Sequence, residues 1–229
     1  MNKAGVIGGM GPKATIDFYA KIVRATHANA DQDHIPLIID IIPQIPDRTA
    51  FILGEGESPL PLLIESASRL SRSGVDVLCM PCNTAHAFID GISKEVGLPF
   101  ISIIDCTLAT IIKEYPDVKN VALLATSGTI ESRVYHNKLD CSELNLMANT
   151  SEFQAEIMNV IYLIKAGLIE EASEAFKKCI TETTENGADI IVLGCTELPL
   201  LTPYITAIVP LIDPTYCLAA EVVKFAKAG

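Results

Sequence analysis

The sequence predicts an α/β protein built on parallel sheets, and two observations carry this prediction. Short β-branched runs alternate along the chain with longer amphipathic stretches, which is the pattern of strands joined by helices. Several segments of the first half recur in the same order in the second half, which indicates a unit used twice. With 49% hydrophobic residues among 229, the chain also has enough apolar material for a substantial core.

Eight segments have the length and β-branched content of strands. In chain order they are 5–8, 37–41, 75–80, 100–104, 121–125, 144–147, 190–193 and 207–211. Helix signals stand between most of them. Ser58 and Pro59 predict an N-cap and a first helical residue, and Gly74 predicts the end of that helix. Ser151 and Gln154 have the spacing of a capping box before a further amphipathic helix.

The internal repeat is clearest around two cysteines. Residues 74–82 (GVDVLCMPC) align with 187–195 (GADIIVLGC), so that glycine, aspartate and the final cysteine are in register. Residues 103–107 align with 211–215, and 6–19 align loosely with 122–135. The eight strands therefore divide four plus four. This predicts two pseudo-symmetric three-layer α/β/α domains, each with a four-stranded parallel sheet, and a cleft between them.

The overall charge and the cysteine content exclude several classes of function. The 28 acidic and 17 basic side chains give a net charge of −11, which argues against a nucleic acid or a membrane surface as partner. The longest apolar stretches, 35–42 and 205–212, are interrupted by Asp40 and Pro210 and are too short for a membrane span. Residues 4–10 form a short, glycine-rich strand and do not resemble a signal peptide. Seven scattered cysteines are typical of reduced thiols, so we expect a cytoplasmic protein.

Cys82 and Cys195 are the strongest candidates for chemistry. Each follows a predicted parallel strand directly, and ligands of open α/β sheets bind outside the carboxyl ends of the strands. Polar residues follow each cysteine where a helix should begin, and a helix start favours an anion or a thiolate. The other five cysteines (Cys79, Cys106, Cys141, Cys179 and Cys217) are expected to be small core residues.

Two thiols that face each other across a pseudo-twofold cleft suit proton transfer at a carbon acid. One group removes a proton from one face of the carbon, and the other returns a proton to the opposite face. The carbanion's charge spreads onto an adjacent carboxylate, so hydrogen-bond donors must already surround that group. Asn83, Thr84 and Thr196 are in the right places to supply them.

The motifs around these cysteines resemble those of the aspartate/glutamate racemase family. Pro81-Cys-Asn-Thr-Ala-His86 and Gly194-Cys-Thr-Glu-Leu-Pro199 are similar to its two signature segments. Residues 7–12 (IGGMGP), 45–49 (IPDRT) and 125–130 (ATSGTI) also match in order. The resemblance extends from about residue 5 to residue 216, nearly the whole chain.

The resemblance implies a racemase without a cofactor, in which Cys82 and Cys195 act as a thiol and thiolate pair. It assigns Cys195 to deprotonation of the L isomer and Cys82 to that of the D isomer. Arg48 and Lys165 match the positions that hold substrate carboxylates in the aspartate branch. The remaining implied substrate-binding residues are Met10, Asn83, Thr84, Thr126, Thr129, Thr196 and Glu197.

The resemblance also has consequences for organisation. It implies that the last segment of the chain crosses back to the first domain, so we expect residues 1–98 plus 207–229 in one domain and 99–206 in the other. It further implies a homodimer, no metal, and an acidic amino acid as the small-molecule partner.

Two departures from the wider family refine the expected substrate. Cell-wall glutamate racemases begin with an Asp-Ser-Gly motif and carry a histidine after the second Cys-Thr pair. This sequence has Gly8-Gly9-Met10 and Glu197 at those places. Related decarboxylases keep one of the two cysteines, whereas both are present here. We therefore expect aspartate as substrate and glutamate as the second choice, with a broad-specificity racemase as the alternative.

Several of these residues also have simple structural interpretations. Arg48 lies in a proline-bracketed loop, where surface residues are common. Lys165 ends a predicted helix and Glu197 begins one, positions that the helix dipole favours in any protein. His86 is expected to pack or cap rather than to titrate during catalysis.

Other classes of protein have weaker support. Residues 9–14 fit the G-x-G-x-x-A fingerprint of an NAD-dependent oxidoreductase, and Asp40 ends the next strand. Cys79 and Cys82 have the spacing of a redox or zinc pair, but no second pair accompanies them. No sequence feature supports PLP chemistry. A sensor of acidic metabolites on the same scaffold would have no need of both thiols.

Overall fold

A computed structural model describes residues 1–140 and 142–229, so Cys141 lies outside the described residues. The described chain forms two four-stranded sheets, in which neighbouring strands run parallel. The first has the order β2-β1-β3-β4, and the second has the equivalent order β6-β5-β7-β8. The strands are β1 Ala4–Gly8, β2 Leu37–Ile41, β3 Val77–Cys79, β4 Phe100–Ile101, β5 Asn120–Leu124, β6 Asn145–Leu146, β7 Ile190–Leu193 and β8 Leu211–Ile212.

Helices connect the strands and cover both sheets. They are α1 Pro12–Thr26, α2 Arg48–Ile52, α3 Leu60–Arg72, α4 Ile89–Val96, α5 Ile103–Glu114, α6 Ser127–Glu131, α7 His136–Leu139, α8 Ser151–Ala166, α9 Ile169–Glu185 and α10 Pro214–Lys227. Short 3-10 helices lie at Asp31–Asp33, Thr84–Phe88 and Leu198–Tyr204. The predicted α/β class with two four-stranded parallel sheets is confirmed.

One large core joins the two halves. Val6 and Cys79 of the first sheet share a hydrophobic cluster with Val121, Leu123 and Val192 of the second. Helices α5 and α10 contribute the buried side chains between them. The opposite face of the first sheet packs against α3, and the opposite face of the second packs against α8 and α9. The sheets are thus held in a fixed relation by a shared apolar core.

Several predicted boundaries are wrong for local reasons. The strand predicted at 100–104 ends at Ile101, because the Ser102 side chain accepts the backbone N–H of Asp105 and starts α5. Thr150, not Ser151, caps α8 by accepting the N–H of Phe153. Two further strands differ markedly: 75–80 shortens to Val77–Cys79, and 207–211 moves to Leu211–Ile212. The strands predicted at 5–8, 121–125 and 144–147 differ by one residue at one or both ends.

The predicted domain boundaries do not coincide with the sheets. Strand β4 lies after the expected boundary at 98/99 yet pairs with β3 in the first sheet, and β8 lies after 206/207 yet pairs with β7 in the second. Each half therefore extends through its fourth strand, because the crossover before that strand returns it to its own sheet. The chain end does return, since α10 packs against α1 and α5. The division into two domains stays a prediction. Among the described residues, no helix is both long enough and apolar enough to cross a membrane.

Candidate active site

The two sheets bring Cys82 and Cys195 to one cavity. Cys82 follows β3 and Cys195 follows β7, the equivalent third strand in each sheet order. Both side chains are buried, and both line the same small cavity. A helix follows each cysteine, as expected from the sequence, and each is a short 3-10 helix. In the second loop, Pro203 inside the helix lacks the N–H group that an α-helix would need there, whereas Pro199 stands in the first turn, where proline is tolerated.

Most of the predicted binding residues line this cavity. Besides the cysteines, the predicted residues at its surface are Met10, Arg48, Asn83, Thr84, Thr126, Lys165, Thr196 and Glu197. Asp47, Thr49 and Gly194 also line it and were not predicted individually. The first two lie within the 45–49 motif and the third precedes Cys195, so the motifs contained the signal. The cavity is small, with a volume of about 30 Å³, little more than one water molecule needs.

Thr129 does not line the cavity but contacts two threonines that do. Its hydroxyl lies 2.8 Å from that of Thr84 and 3.0 Å from that of Thr126, and Thr84 and Thr126 are themselves 2.8 Å apart. A cyclic arrangement of donors uses all three hydroxyl protons within this triangle. The Thr84 hydroxyl can then offer a lone pair to the cavity, whereas Thr126 Oγ1 also accepts the backbone N–H of Thr129 at 3.1 Å and has no lone pair left. Thr84, which was expected to donate, is therefore better suited to accept a hydrogen bond.

Two cations reach the cavity without a carboxylate partner. Arg48 Nη1 donates to the carbonyl oxygens of Ile45 and Pro46 at 3.2 and 3.0 Å, while its Nε is buried without a partner. Lys165 lies in the last turn of α8 with its Nζ 5.9 Å from the centre of the Tyr162 ring. In the described parts of the chain, neither forms an ion pair. Each keeps its charge available for an anionic ligand.

Asn83 presents a second unpartnered donor. The Tyr135 hydroxyl, fixed at the start of α7 in the other half, donates to Asn83 Oδ1 at 2.7 Å. Asn83 Nδ2 is buried and has no partner. In the sequence, Tyr135 stands out only as a member of the repeat, opposite Tyr19. Its contact with the site has no sequence signal, because the two residues come from different halves.

The environment of Cys195 favours its protonated form. The pKa of the Cys195 thiol is raised to about 12, chiefly by burial, and the nearby Glu197 and Cys82 act in the same direction. The Lys165 cation and the backbone N–H of Glu197 act in the opposite direction. Burial also raises the pKa of Glu197 itself, against the effect of Lys165 and Lys13. The site thus contains a thiol whose ionisation depends on positive charge.

Residues that a dehydrogenase would use have other partners. Asp40, the expected ribose ligand, accepts from Ser66 Oγ at 2.7 Å and pairs with Arg69 at 2.8 Å. A Cβ at Gly11 would lie 3.0 Å from Glu197 Oε1, so a carboxylate occupies the region where a pyrophosphate would approach α1. Gly9 has a φ of +98°, and its closeness to the Ile42 backbone explains the glycine by packing.

The other described cysteines lie away from the cavity. Cys79 belongs to the core between the sheets, whereas Cys82 packs on the α3 side, so they do not form the redox or zinc pair that their spacing suggests. Burial raises the pKa of Cys106 to about 12 and the pKa values of Cys179 and Cys217 to about 11. These thiols are buried or half-buried, as expected for core residues.

Comparison with known proteins agrees with this geometry. Residues 7–222 match the Asp/Glu/Hydantoin racemase family. The chain is 29% identical over 228 residues, 96% of both chains, to the broad specificity amino-acid racemase RacX of Bacillus subtilis. It is 32% identical to the Picrophilus torridus aspartate racemase, whose structure superposes with a TM-score of 0.90 over 99% of this chain and 95% of that one.

A third relative has the same overall structure at lower identity. The aspartate racemase homologue of Pyrococcus horikoshii is 26% identical, with a TM-score of 0.76 over 99% of this chain and 100% of that one. The family match covers nearly the whole chain and includes both cysteine loops. The protein therefore belongs to the Asp/Glu/Hydantoin racemase family and is an isomerase, an amino-acid racemase of that family.

Proposed function

We propose that the protein racemises aspartate, with glutamate as a second substrate, by a two-base mechanism that needs no cofactor. One observation carries the proposal: two cysteines from equivalent loops line one small cavity, together with two cations that have no carboxylate partner among the described residues. A site that binds a diacid needs positive charge or hydrogen-bond donors at both of its ends. Racemisation by two bases also needs a proton-transfer group on each face of the substrate's α-carbon. The similarity to an aspartate racemase supports the same substrate.

In the proposed mechanism the substrate is held at three points. Arg48 and Lys165 bind the carboxylates, and the buried Asn83 Nδ2 donates to the α-carboxylate. The free lone pair of the Thr84 hydroxyl and the carboxylate of Glu197 accept from the ammonium group, while Thr126 holds the Thr84 hydroxyl in place. This division follows from the hydrogen-bonding capacity of each group, since carboxylates need donors and an ammonium needs acceptors.

Each of the two cysteines then carries out one proton transfer at the substrate's α-carbon. One thiolate removes the α-proton, and the other thiol gives its proton to the opposite face of the planar carbanion. The negative charge moves onto the α-carboxylate, where the cations and the Asn83 donor stabilise it. In the L-to-D direction we assign the base to Cys195 and the acid to Cys82, and the reverse direction exchanges their roles. Lys165 and the substrate's ammonium favour the thiolate form of Cys195.

The decisive experiment is incubation with L-aspartate in D₂O without added cofactor. The expected result is loss of the α-proton signal in NMR and appearance of D-aspartate on a chiral column. A two-base mechanism puts solvent deuterium into the D product at early times, while the remaining L-aspartate keeps its α-proton. Early exchange in both isomers contradicts the two-base mechanism. Absence of exchange and of D isomer for aspartate, glutamate and a wider panel contradicts the function.

The same panel tests a second candidate, a broad-specificity racemase. The similarity to RacX of Bacillus subtilis over 96% of the chain favours this alternative. The unpaired, half-buried Arg48 favours acidic substrates instead, because a cation removed from water is costly unless a ligand neutralises it. We therefore expect kcat/KM for aspartate to exceed that for alanine or serine by at least about tenfold, the value of one hydrogen bond to a charged group. Equal values support the broad alternative.

We also propose a cytoplasmic homodimer. On α1, the exposed apolar side chains Ile16, Tyr19 and Val23 share one helical face and could be covered by a second copy. The reduced state expected for the cysteines is consistent with the cytoplasm. Sedimentation equilibrium measures the oligomeric state, and fractionation of cells expressing the protein measures the location.

A further inference from the structure

We infer that Tyr135 is a positioning residue for racemisation, and that its hydroxyl sets the orientation of the Asn83 amide toward the substrate's α-carboxylate. This inference rests on the proposed function. It concerns a contact between the two halves of the chain, since Asn83 follows the first cysteine and Tyr135 precedes α7 in the second half.

The Tyr135 side chain is held rigidly. It is the largest of the fully buried side chains, and its ring packs in the core shared by the two sheets. Burial raises the pKa of the Tyr135 phenol well above its ordinary value, so the hydroxyl keeps its proton and remains a donor. A neutral phenol in a fixed ring is a directional donor, which suits it to orient a neighbouring amide.

The hydrogen bond distinguishes the two ends of the amide. Tyr135 donates to Asn83 Oδ1 at 2.7 Å, which leaves Nδ2 as the free end. Nδ2 is buried without a partner, although Asn83 lines the cavity that contains both cysteines. Buried donors are nearly always paired in folded proteins, so an unpaired one beside a cavity indicates a ligand that accepts. A carboxylate accepts hydrogen bonds, and an ammonium group does not.

Removal of the hydroxyl should leave the fold intact but free the amide. In Tyr135→Phe the ring stays in the core, while Asn83 Oδ1 loses its donor. The amide can then turn by about 180° and present Oδ1 to the substrate's carboxylate, which is repulsive. Because the carboxylate is present before and during proton transfer, we expect kcat/KM to fall about tenfold, mostly through KM.

The test combines kinetics with a double-mutant cycle. Racemisation of L-aspartate is measured for wild type, Tyr135→Phe, Asn83→Ala and the double variant. If the hydroxyl acts through Asn83, the double variant should lose no more kcat/KM than Asn83→Ala alone, because the two changes remove the same interaction. Phe18→Leu is a matched control, since it truncates another fully buried aromatic ring of the core that holds Tyr135, and Phe18 does not line the cavity. It should lower the melting temperature without changing KM.

Binding of succinate measures the same contact without turnover. Calorimetry should give a Kd about tenfold weaker for Tyr135→Phe than for wild type, and an unchanged Kd for Phe18→Leu. If wild type binds succinate but does not racemise aspartate, the proposed function fails while the role of Tyr135 is still measured by the Kd. A Tyr135→Phe variant within twofold of wild type in both KM and Kd overturns the inference. Additive losses in the double variant, or a wild type that neither binds nor reacts, overturn it as well.

Discussion

The Nδ1–H of His86 donates to the carbonyl oxygen of Cys82 at 2.8 Å and so fixes the loop that carries the first cysteine. The opposite ring nitrogen, Nε2, accepts the backbone N–H of Ile103 at 2.9 Å. One ring nitrogen donates and the other accepts, so the imidazole is neutral in this arrangement. It connects the Cys82 loop to the first residue of α5. His86 thus packs and caps, as expected from the sequence.

The neutral state of His86 predicts a pH-dependent stability. Burial lowers the pKa of His86 from 6.5 to about 4, which corresponds to about 3 kcal/mol. The unfolded chain binds this proton more readily, so the free energy of unfolding should fall as the pH decreases from 6.5 to about 4 and change little from this source above 6.5. Urea denaturation across this range measures the effect. His27→Asn, at an exposed C-cap, is the control and should keep it. His86→Gln should reduce the change in the free energy of unfolding between pH 6.5 and about 4. An unchanged pH dependence in this variant contradicts the assignment to His86.

The two cysteines should be individually necessary. Cys82→Ala and Cys195→Ala should each lower kcat for aspartate by about a thousandfold or more, because each removes one of two proton-transfer groups. Circular dichroism should show both variants folded. Cys217→Ala is the matched control, since this thiol is buried on α10 in the core between the sheets and does not line the cavity. Near-normal turnover by either site variant is incompatible with the two-base mechanism.

Arg48 should determine the preference for acidic substrates. Arg48→Met should lower kcat/KM for aspartate by about 10- to 100-fold, since a hydrogen bond to a charged group is worth about 1.5–3 kcal/mol. The rate with alanine should be unchanged or higher, because the cation without a partner is gone. A mixture of aspartate and alanine, assayed on a chiral column, gives the ratio of their kcat/KM values directly. Arg72→Met, on the exposed end of α3, should leave the ratio unchanged. Equal losses for both substrates would show that Arg48 is only structural.

Lys165 should set the pH dependence of the reaction. The Lys165 cation lowers the pKa of Cys195, which burial has raised to about 12. Removal of the charge should raise that pKa further and reduce the thiolate fraction at any given pH. The rising limb of kcat/KM against pH should therefore move to higher pH in Lys165→Met, and the rate at pH 7 should fall about tenfold if the Cys195 pKa rises by about one. Lys165→Arg keeps the charge and should keep the position of this limb. Identical profiles for Lys165→Met and wild type refute the electrostatic role.

Much of the fold could be predicted because its signals are local. The strands at 37–41 and 190–193 agree with the structure at both ends, since β-branched runs flanked by proline, glycine or aspartate are recognised within a few positions. Errors occur where a cap competes with a strand, as at Ser102, whose side chain accepts the Asp105 N–H and ends β4 early. The sheet membership of β4 and β8 also differs from the expected division, because strand pairing is a long-range property.

The sequence by itself determined that two cysteines would follow equivalent strands and meet at one cavity. This inference is possible because the carboxyl ends of parallel strands lie at the same edge of a sheet, and because the repeat relates the two sheets. Both cations of the cavity, Arg48 and Lys165, could also be named from the sequence by resemblance. Asp47 and Thr49 were not predicted individually, although they lie inside a matched segment.

Only the tertiary structure decided what those residues contact. The threonine triangle joins Thr84 to Thr126 and Thr129, and the amide of Asn83 is oriented by Tyr135, 52 positions away along the chain. The same packing leaves Arg48 Nε and Asn83 Nδ2 without partners. Such contacts have no local pattern, because they depend on how the shared core docks one sheet against the other. A residue's type and its place along a strand can be predicted from the sequence. Its hydrogen-bond partner across the cleft depends on how the two sheets pack together.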